Sequence, residues 1–138
     1  MKKIFIILCL LLVGCHKISP YDLYVKELKE TNIISEDIPF DINFYIDNVN
    51  ENRIIYQVII DNPKVEANKV KALVIHDVVT KDIFPSVGIV DEEINLNEEK
   101  GIILIGYVDK ISDINFKVLI ETEDNKYFYT YNYWQFLW

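Results

Sequence analysis

The sequence predicts an all-β fold, a sandwich of about seven strands, and two patterns support this prediction. From residue 38 onward, apolar residues alternate with polar ones in one segment after another, which is the period of a strand with one buried face. Polar stretches rich in asparagine, aspartate and glutamate separate these segments at the spacing typical of sandwiches, roughly 8–12 residues. The hydrophobic fraction of 51% is enough to form one core.

The N-terminal segment has the order of parts found in a secretory signal. Lys2 and Lys3 precede an apolar run over residues 4–13, which Gly14 and Cys15 follow. The run is too short to cross a bilayer core, which needs ~20 apolar residues. The segment Leu12-Val13-Gly14-Cys15 resembles the lipobox of bacterial lipoproteins. The resemblance implies cleavage before Cys15 and a diacylglyceryl thioether on its sulfur.

These features divide the chain into three parts: a signal peptide over residues 1–14, a lipid-anchored tether or short helix over 15–33, and a β-sandwich domain over 34–138. Cleavage leaves 124 residues (138 − 14), which suits one domain and is too few for two. We expect the domain to lie at the extracytoplasmic face of a cell membrane, attached through its diacylglyceryl anchor.

Charge and cysteine content limit the partners and cofactors. The chain has 14 basic and 22 acidic residues, so removal of Lys2 and Lys3 changes the balance to 12 − 22 = −10. A domain this acidic, without a cluster of basic residues, repels phosphate backbones, and we expect no nucleic-acid partner.

The cysteines limit the possible disulfides and metal sites. Cys9 lies in the apolar run and Cys15 takes the lipid, so no thiol remains for a disulfide or a cysteine metal site. We expect no cofactor.

The first element after the anchor is predicted as a short amphipathic helix from about Pro20 to Thr31. Ser19 is a suitable cap, and Pro20 suits the first helical position. Apolar residues then recur at helical spacing, with charged residues on the other side. They are Tyr21, Tyr24, Val25 and Leu28. A solvated tether over the same residues is the alternative.

A hairpin follows the helix. Its first strand directs Phe40, Ile42, Phe44 and Ile46 to one face. The stretch 48–52 reads as a turn, because asparagine and aspartate tolerate left-handed backbone. The return strand covers Arg53–Asp61, with Ile54, Tyr56, Val58 and Ile60 on its inner face. Pro63, which cannot donate to a ladder, ends it.

Five further segments complete the predicted sandwich. Val70–Val79 is a strand; Ile83–Ile89, interrupted by Pro85, is a strand at an edge or bulge. We expect Asp91–Lys100 to be an acidic loop, and Ile102–Val108, apolar on both faces, to be a central covered strand. The last two strands lie around Phe116–Ile120 and over Tyr127–Trp134. The pattern is immunoglobulin-like, although the Cys…Trp…Cys signature of true immunoglobulin domains is absent.

The residues needed for catalysis are largely missing. No cysteine nucleophile remains after processing, the serines lie in no nucleophile-elbow setting, and His16 and His76 are the only histidines. His76 and Asp77 are neighbours on a strand, so they point to opposite faces and form no dyad. We therefore predict that the protein is not an enzyme.

The predicted acidic loop lacks the residue spacing and the glycine of an EF-hand, which favours a solvated loop over a calcium site.

The most unusual feature is the last strand, which places Tyr127, Tyr129, Tyr131 and Tyr133 on one face. These tyrosines are the candidate binding residues, because tyrosine rings stack on sugars or form protein contacts at low entropic cost. The alternative is a core role, since aromatic residues favour strands and one face must be buried.

The sequence thus predicts a lipid-anchored, non-catalytic module that binds an envelope protein or glycan. One alternative is an exclusion or immunity lipoprotein of a mobile element, which blocks DNA entry by contacting the incoming machinery. Another is a glycan- or peptidoglycan-binding module that uses the terminal tyrosines.

Replacing Cys15 tests the anchor. We expect the Cys15→Ala chain to stay unprocessed or to be released, because two acyl chains give stable attachment where one is marginal, at ~0.8 kcal/mol per buried methylene. Metabolic labelling with a fatty acid measures this, and Cys9→Ala, in the discarded segment, is the control that should keep the label. Label retained by Cys15→Ala would contradict the anchor.

Overall fold

The computed structural model describes residues 19–51, 53–78, 86–109 and 113–134. These contain one helix and seven strands. The elements are α1 (Pro20–Glu30), β1 (Asp41–Asn50), β2 (Arg53–Asp61), β3 (Ala67–His76), β4 (Ser86–Leu96), β5 (Ile102–Asp109), β6 (Asp113–Glu121) and β7 (Lys126–Trp134). All strand pairs are antiparallel. They form a three-stranded sheet in the order β1-β2-β5 and a four-stranded sheet in the order β4-β3-β6-β7.

The two sheets confirm the predicted all-β sandwich of seven strands. In constant immunoglobulin domains, strand 4 extends the sheet of strands 1, 2 and 5, and strands 3, 6 and 7 form the other sheet. Here the first sheet stops at β5, because β4 pairs with β3 in the opposite sheet. This exchange makes β5 an edge strand.

The β1–β2 hairpin agrees closely with the sequence pattern. The structure begins and ends β2 at the predicted residues and buries every second side chain along it. The buried residues are Ile54, Tyr56, Val58 and Ile60. Strand β1 continues further than expected, because Asn50 still pairs with Arg53 after a register shift, so the predicted turn over 48–52 is mostly strand. Beyond β2, Asn62 adopts the left-handed backbone (φ 46°) that asparagine tolerates.

The core lies between β2 on one sheet and the central strands β3 and β6 on the other. Val74 pairs with Val118 at its centre, and both are fully buried. Strand β3 starts at Ala67, earlier than predicted, and its pairing with β4 shifts register beside Lys69, whose φ is 54°. The strand ends at His76, so the prediction extended it too far, since Asp77 and Val78 lie outside it. Val79 and Pro85 lie outside the described residues.

Helix α1 forms as predicted and is docked, so Pro20–Glu30 is not a solvated tether. The Asp22 N–H donates to Ser19 Oγ (3.2 Å), and the Thr31 N–H donates to the Glu27 carbonyl (3.1 Å). Leu28, 1% exposed, packs on the outer surface of the four-stranded sheet. Its buried neighbours there are Leu73, Ile75 and Leu119.

Two lysines hold the helix to the same sheet. Lys117 Nζ donates to the carbonyls of Lys29 (3.2 Å) and Thr31 (2.9 Å), at the negative end of the helix dipole. Lys126 Nζ donates to both Glu27 carboxylate oxygens at 3.0 Å. These hydrogen bonds raise the pKa of Lys126.

The prediction of an acidic loop over Asp91–Lys100 was wrong, because β4 runs on to Leu96. Ile94 pairs with Val70, and the buried Leu96 pairs with Ala67. Between Ile89 and Ile94 the strand has more residues than its partner, so it bulges there. Edge strands accept both bulges and charges, which allows three consecutive acidic residues within a strand.

The prediction of a central, covered β5 was also wrong. Only the face containing Ile102, Leu104 and Val108 is buried. The opposite face is exposed, and β2 is the only strand that pairs with β5 among the described residues. A two-sided apolar pattern therefore does not establish that the chain itself covers both sides.

The docking of α1 predicts a contrast between two leucines of the same helix. Leu28→Ala should lower the free energy of unfolding by about 2–5 kcal/mol, the range for a buried leucine that leaves a cavity. Leu23→Ala, at a position 51% exposed, should change it by less than about 0.5 kcal/mol. Urea unfolding of the full chain measures both, and equal small changes would contradict the docking.

Candidate functional site

The four candidate tyrosines of β7 face into the sandwich and pack against the core. The ring of Tyr131 is stacked on Phe44 of β1, with centroids 4.4 Å apart and planes 7° from parallel. Tyr127 meets Phe40 edge to face at 5.9 Å. Tyr129 lies over Phe44 at 6.3 Å. The tyrosines thus close one side of the sandwich, where the edge strands β1 and β7 lie opposite each other.

The tyrosines are half-buried, and the opposite face of β7 is partly covered by α1. Phe128 packs with Leu28 beneath α1, whereas Thr130 and Asn132 are exposed. The edge of β7 is occupied near Phe128, whose N–H donates to Ser35 Oγ while the Ser35 N–H donates to its carbonyl, both at 2.9 Å. A binding role for the tyrosines stays a prediction. Cys15 lies outside the described residues.

A second surface, which the sequence pattern did not identify, lies on the outer face of the three-stranded sheet. Pairing across β1, β2 and β5 gives three rows of three residues. The rows are Asn43–Ile59–Ile103, Tyr45–Gln57–Ile105 and Asp47–Ile55–Tyr107. Six of these nine are apolar, and the whole β5 column is apolar. We call these nine residues the outer face.

The outer face is open to solvent. Ile103 is 55% exposed, Ile105 48% and Tyr107 60%, and Tyr45 on β1 is 55% exposed. Three strands about 4.8 Å apart and about 20 Å long give the outer face an area of roughly 300 Å². The alternating Ile103, Ile105 and Tyr107 are apparent in the sequence, but a strand that is apolar on both faces predicts burial beneath another layer.

The buried His76 and Tyr56 pack together with Phe116 in the core. His76, 3% exposed, has its ring centroid 6.0 Å from Tyr56 and 5.8 Å from Phe116. Its Nδ1 accepts from the Val78 N–H at 3.2 Å. Burial lowers the pKa of His76, against an opposing effect of Asp77. Burial also raises the pKa of Tyr56 to about 12, so this hydroxyl stays protonated at neutral pH.

His76 is the last residue of β3 and Asp77 follows the strand, and the two side chains have different partners. The Asp77 carboxylate accepts from the backbone N–H (3.0 Å) and from the side-chain amide (2.8 Å) of Asn115. Within the ranges that the structure describes, no cluster of three or more histidine, cysteine or acidic residues is arranged to hold a metal ion. In those same ranges, no helix has the length and apolar character needed to cross a bilayer.

Paired substitutions separate the core role of the tyrosines from the surface role of the outer face. Tyr131→Ser should destabilise the domain by about 2 kcal/mol, because it removes a ring stacked against the core. Ile105→Ser, at an exposed site, should change stability by less than about 0.5 kcal/mol. Thermal unfolding followed by circular dichroism measures both. An unchanged melting temperature for Tyr131→Ser would contradict its packing role.

Comparison with known proteins does not assign this chain to a family. No protein-family model matches the sequence, and no curated protein and no solved structure matches it.

Proposed function

We propose that this chain is a lipid-anchored, extracytoplasmic lipoprotein with a non-catalytic interaction domain, which contacts an envelope protein through the outer face. The observation that supports this most directly is the exposed apolar surface around Ile103, Ile105 and Tyr107. The largest apolar patch of a typical soluble monomer has an area of roughly 300–600 Å² and is often functional.

Polar and charged groups lie at one end of the outer face and along its β1 side. At one end, Arg53 Nε lies 3.8 Å from Asp109 Oδ1, and both side chains are more than half exposed. Along β1, Asn43 and Asp47 alternate with Tyr45. Gln57 lies at the centre of the nine residues, so the apolar side chains form a stripe along β5 that continues onto Ile55 and Ile59 of β2.

The composition of the outer face favours a protein partner over a glycan. Its apolar residues are mainly aliphatic, four isoleucines and two tyrosines, and the two exposed rings, Tyr45 and Tyr107, lie apart on the two edge strands of the sheet. The terminal tyrosines proposed to bind sugars pack against the core, and Tyr131 is stacked on Phe44. A protein partner also fits the alternative of an exclusion or immunity lipoprotein, which acts by contacting incoming machinery.

The proposed anchor rests on the lipobox-like segment that ends at Cys15. The docked helix limits how far the domain can lie from this anchor. Helix α1 is capped by Ser19, four residues after Cys15. Four residues span at most about 14 Å. A lipid on Cys15 would therefore hold the domain close to the bilayer, and its partner would be a membrane protein or a protein held near the membrane.

Site-specific crosslinking in cells tests this function. We expect a photoreactive amino acid at Ile105 to form one adduct of defined mass in the membrane fraction, and Ile103→Lys in the same chain to abolish it. The matched control is Leu23, similarly exposed at 51% but located on α1, against the opposite sheet. Mass spectrometry identifies the partner. Equal adducts from both positions, or none from Ile105, would contradict the proposal.

A further inference from the structure

We propose that the free edge of β5 binds an extended strand of the partner protein, with apolar residues on one face of that strand and lysine or arginine on the other. This inference rests on the proposed interaction function and specifies how the partner is recognised. Strand addition to an open sheet edge is an established mode of recognition, in which backbone hydrogen bonds supply affinity and alternate side chains supply specificity.

Among the residues that the structure describes, none gives the edge of β5 the protection that the other three edges have. Ser35 occupies the edge of β7 at Phe128. Strand β1 exposes Asp41 and Asp47, and β4 contains a bulge with acidic residues. Charges, bulges and covering segments are the usual means of preventing strand addition. Residues 102–108 of β5 contain no charge and no proline.

The outer face alone is too small for a stable interface, and an added strand would enlarge it. Its area of roughly 300 Å² is well below the ~800 Å² that each partner of a standard complex buries. A strand paired with β5 would place alternate side chains beside Ile103, Ile105 and Tyr107. It would therefore continue the apolar stripe and also satisfy the backbone groups along the edge.

The other face of the incoming strand would meet acidic residues. Strands β4 and β5 contact each other across the sandwich and form the same flank. On this flank the bulge of β4 exposes Asp91, Glu92 and Glu93. The inward side chains of a strand added to β5 would point toward the layer that contains this bulge, because strand side chains alternate between faces. Basic side chains fit that position.

Charge also argues against a second copy as the occupant. If two β5 edges paired about a two-fold axis, the β4 edges in the other layer would meet as well. The exposed Asp91, Glu92 and Glu93 of each chain would then lie on the side that faces the other chain. Each chain already has a formal charge of −8, so this arrangement brings like charges together.

A designed peptide tests the inference with the full chain purified in a mild detergent. The probe is a fluorescein-labelled peptide of the length of β5 in which valine alternates with lysine, and fluorescence anisotropy measures its binding. One control peptide has glutamate in place of lysine, and another has a fully N-methylated backbone, which cannot donate to a sheet edge. We expect only the lysine peptide to bind, with an affinity that falls as salt increases.

Three variants locate the binding. Ile105→Lys should weaken binding by about tenfold or more, because lysine on an edge strand opposes strand addition. Combined Asp91→Asn, Glu92→Gln and Glu93→Gln should weaken it by about tenfold at low salt and flatten the salt dependence. Leu23→Lys should bind as the unaltered chain does. Unchanged melting temperatures show that the variants are folded.

Several results would overturn the inference. They are absence of binding by the lysine peptide, equal binding by the glutamate or N-methylated peptide, and binding that Ile105→Lys leaves unchanged. A dimer seen by sedimentation and lost in Ile105→Lys would identify a second copy as the occupant. If the peptide fails while crosslinking from Ile105 still captures a single partner, strand addition is wrong and the interaction function stands.

Discussion

The packing of Phe116 is the interaction on which the rest of the sandwich depends. This fully buried ring on β6 lies 4.9 Å from Tyr56 and 5.3 Å from Phe44, so it joins the two sheets at their centre. Tyr56 in turn requires Gly106 opposite it on β5, because a Cβ atom there would overlap the tyrosine ring. One aromatic cluster thereby sets the spacing of the sheets and the register of the edge strand.

The position of β4 in the four-stranded sheet, and not beside β5, is the feature of the fold on which the proposed function depends. Were β4 to extend the first sheet, it would pair with β5 and cover its edge. Because β4 pairs with β3, the first sheet ends at β5, whose outer side chains are exposed and whose far edge pairs with no other strand in the described part of the chain. The same arrangement brings the acidic bulge of β4 to the flank of β5. The open edge and its acidic surroundings thus have one topological cause.

Alternation in the sequence was sufficient to predict the sandwich, the bounds of β2 and the docked side of α1. It was insufficient for β4 and β5, because periodicity reports which side chains are apolar and not which strand lies beside which. Strand β7 shows the same limit: Tyr131 and Phe128 are on opposite faces, both are apolar, and both are packed. The outer face was not predicted, because Ile103 and Ile105 are isoleucines, and isoleucine is usually a core residue.

The attachment of α1 also determines how the domain responds to a pulling force. Tension applied at the N-terminus reaches the helix first, where Lys117 and Lys126 bind it to β6 and β7. It next reaches Ser35, which is bonded to β7, and only then β1. The four-stranded sheet therefore carries the load before it can peel β1 from β2. The contacts of the helix and of Ser35 must therefore break before tension reaches β1, the first strand of the sandwich.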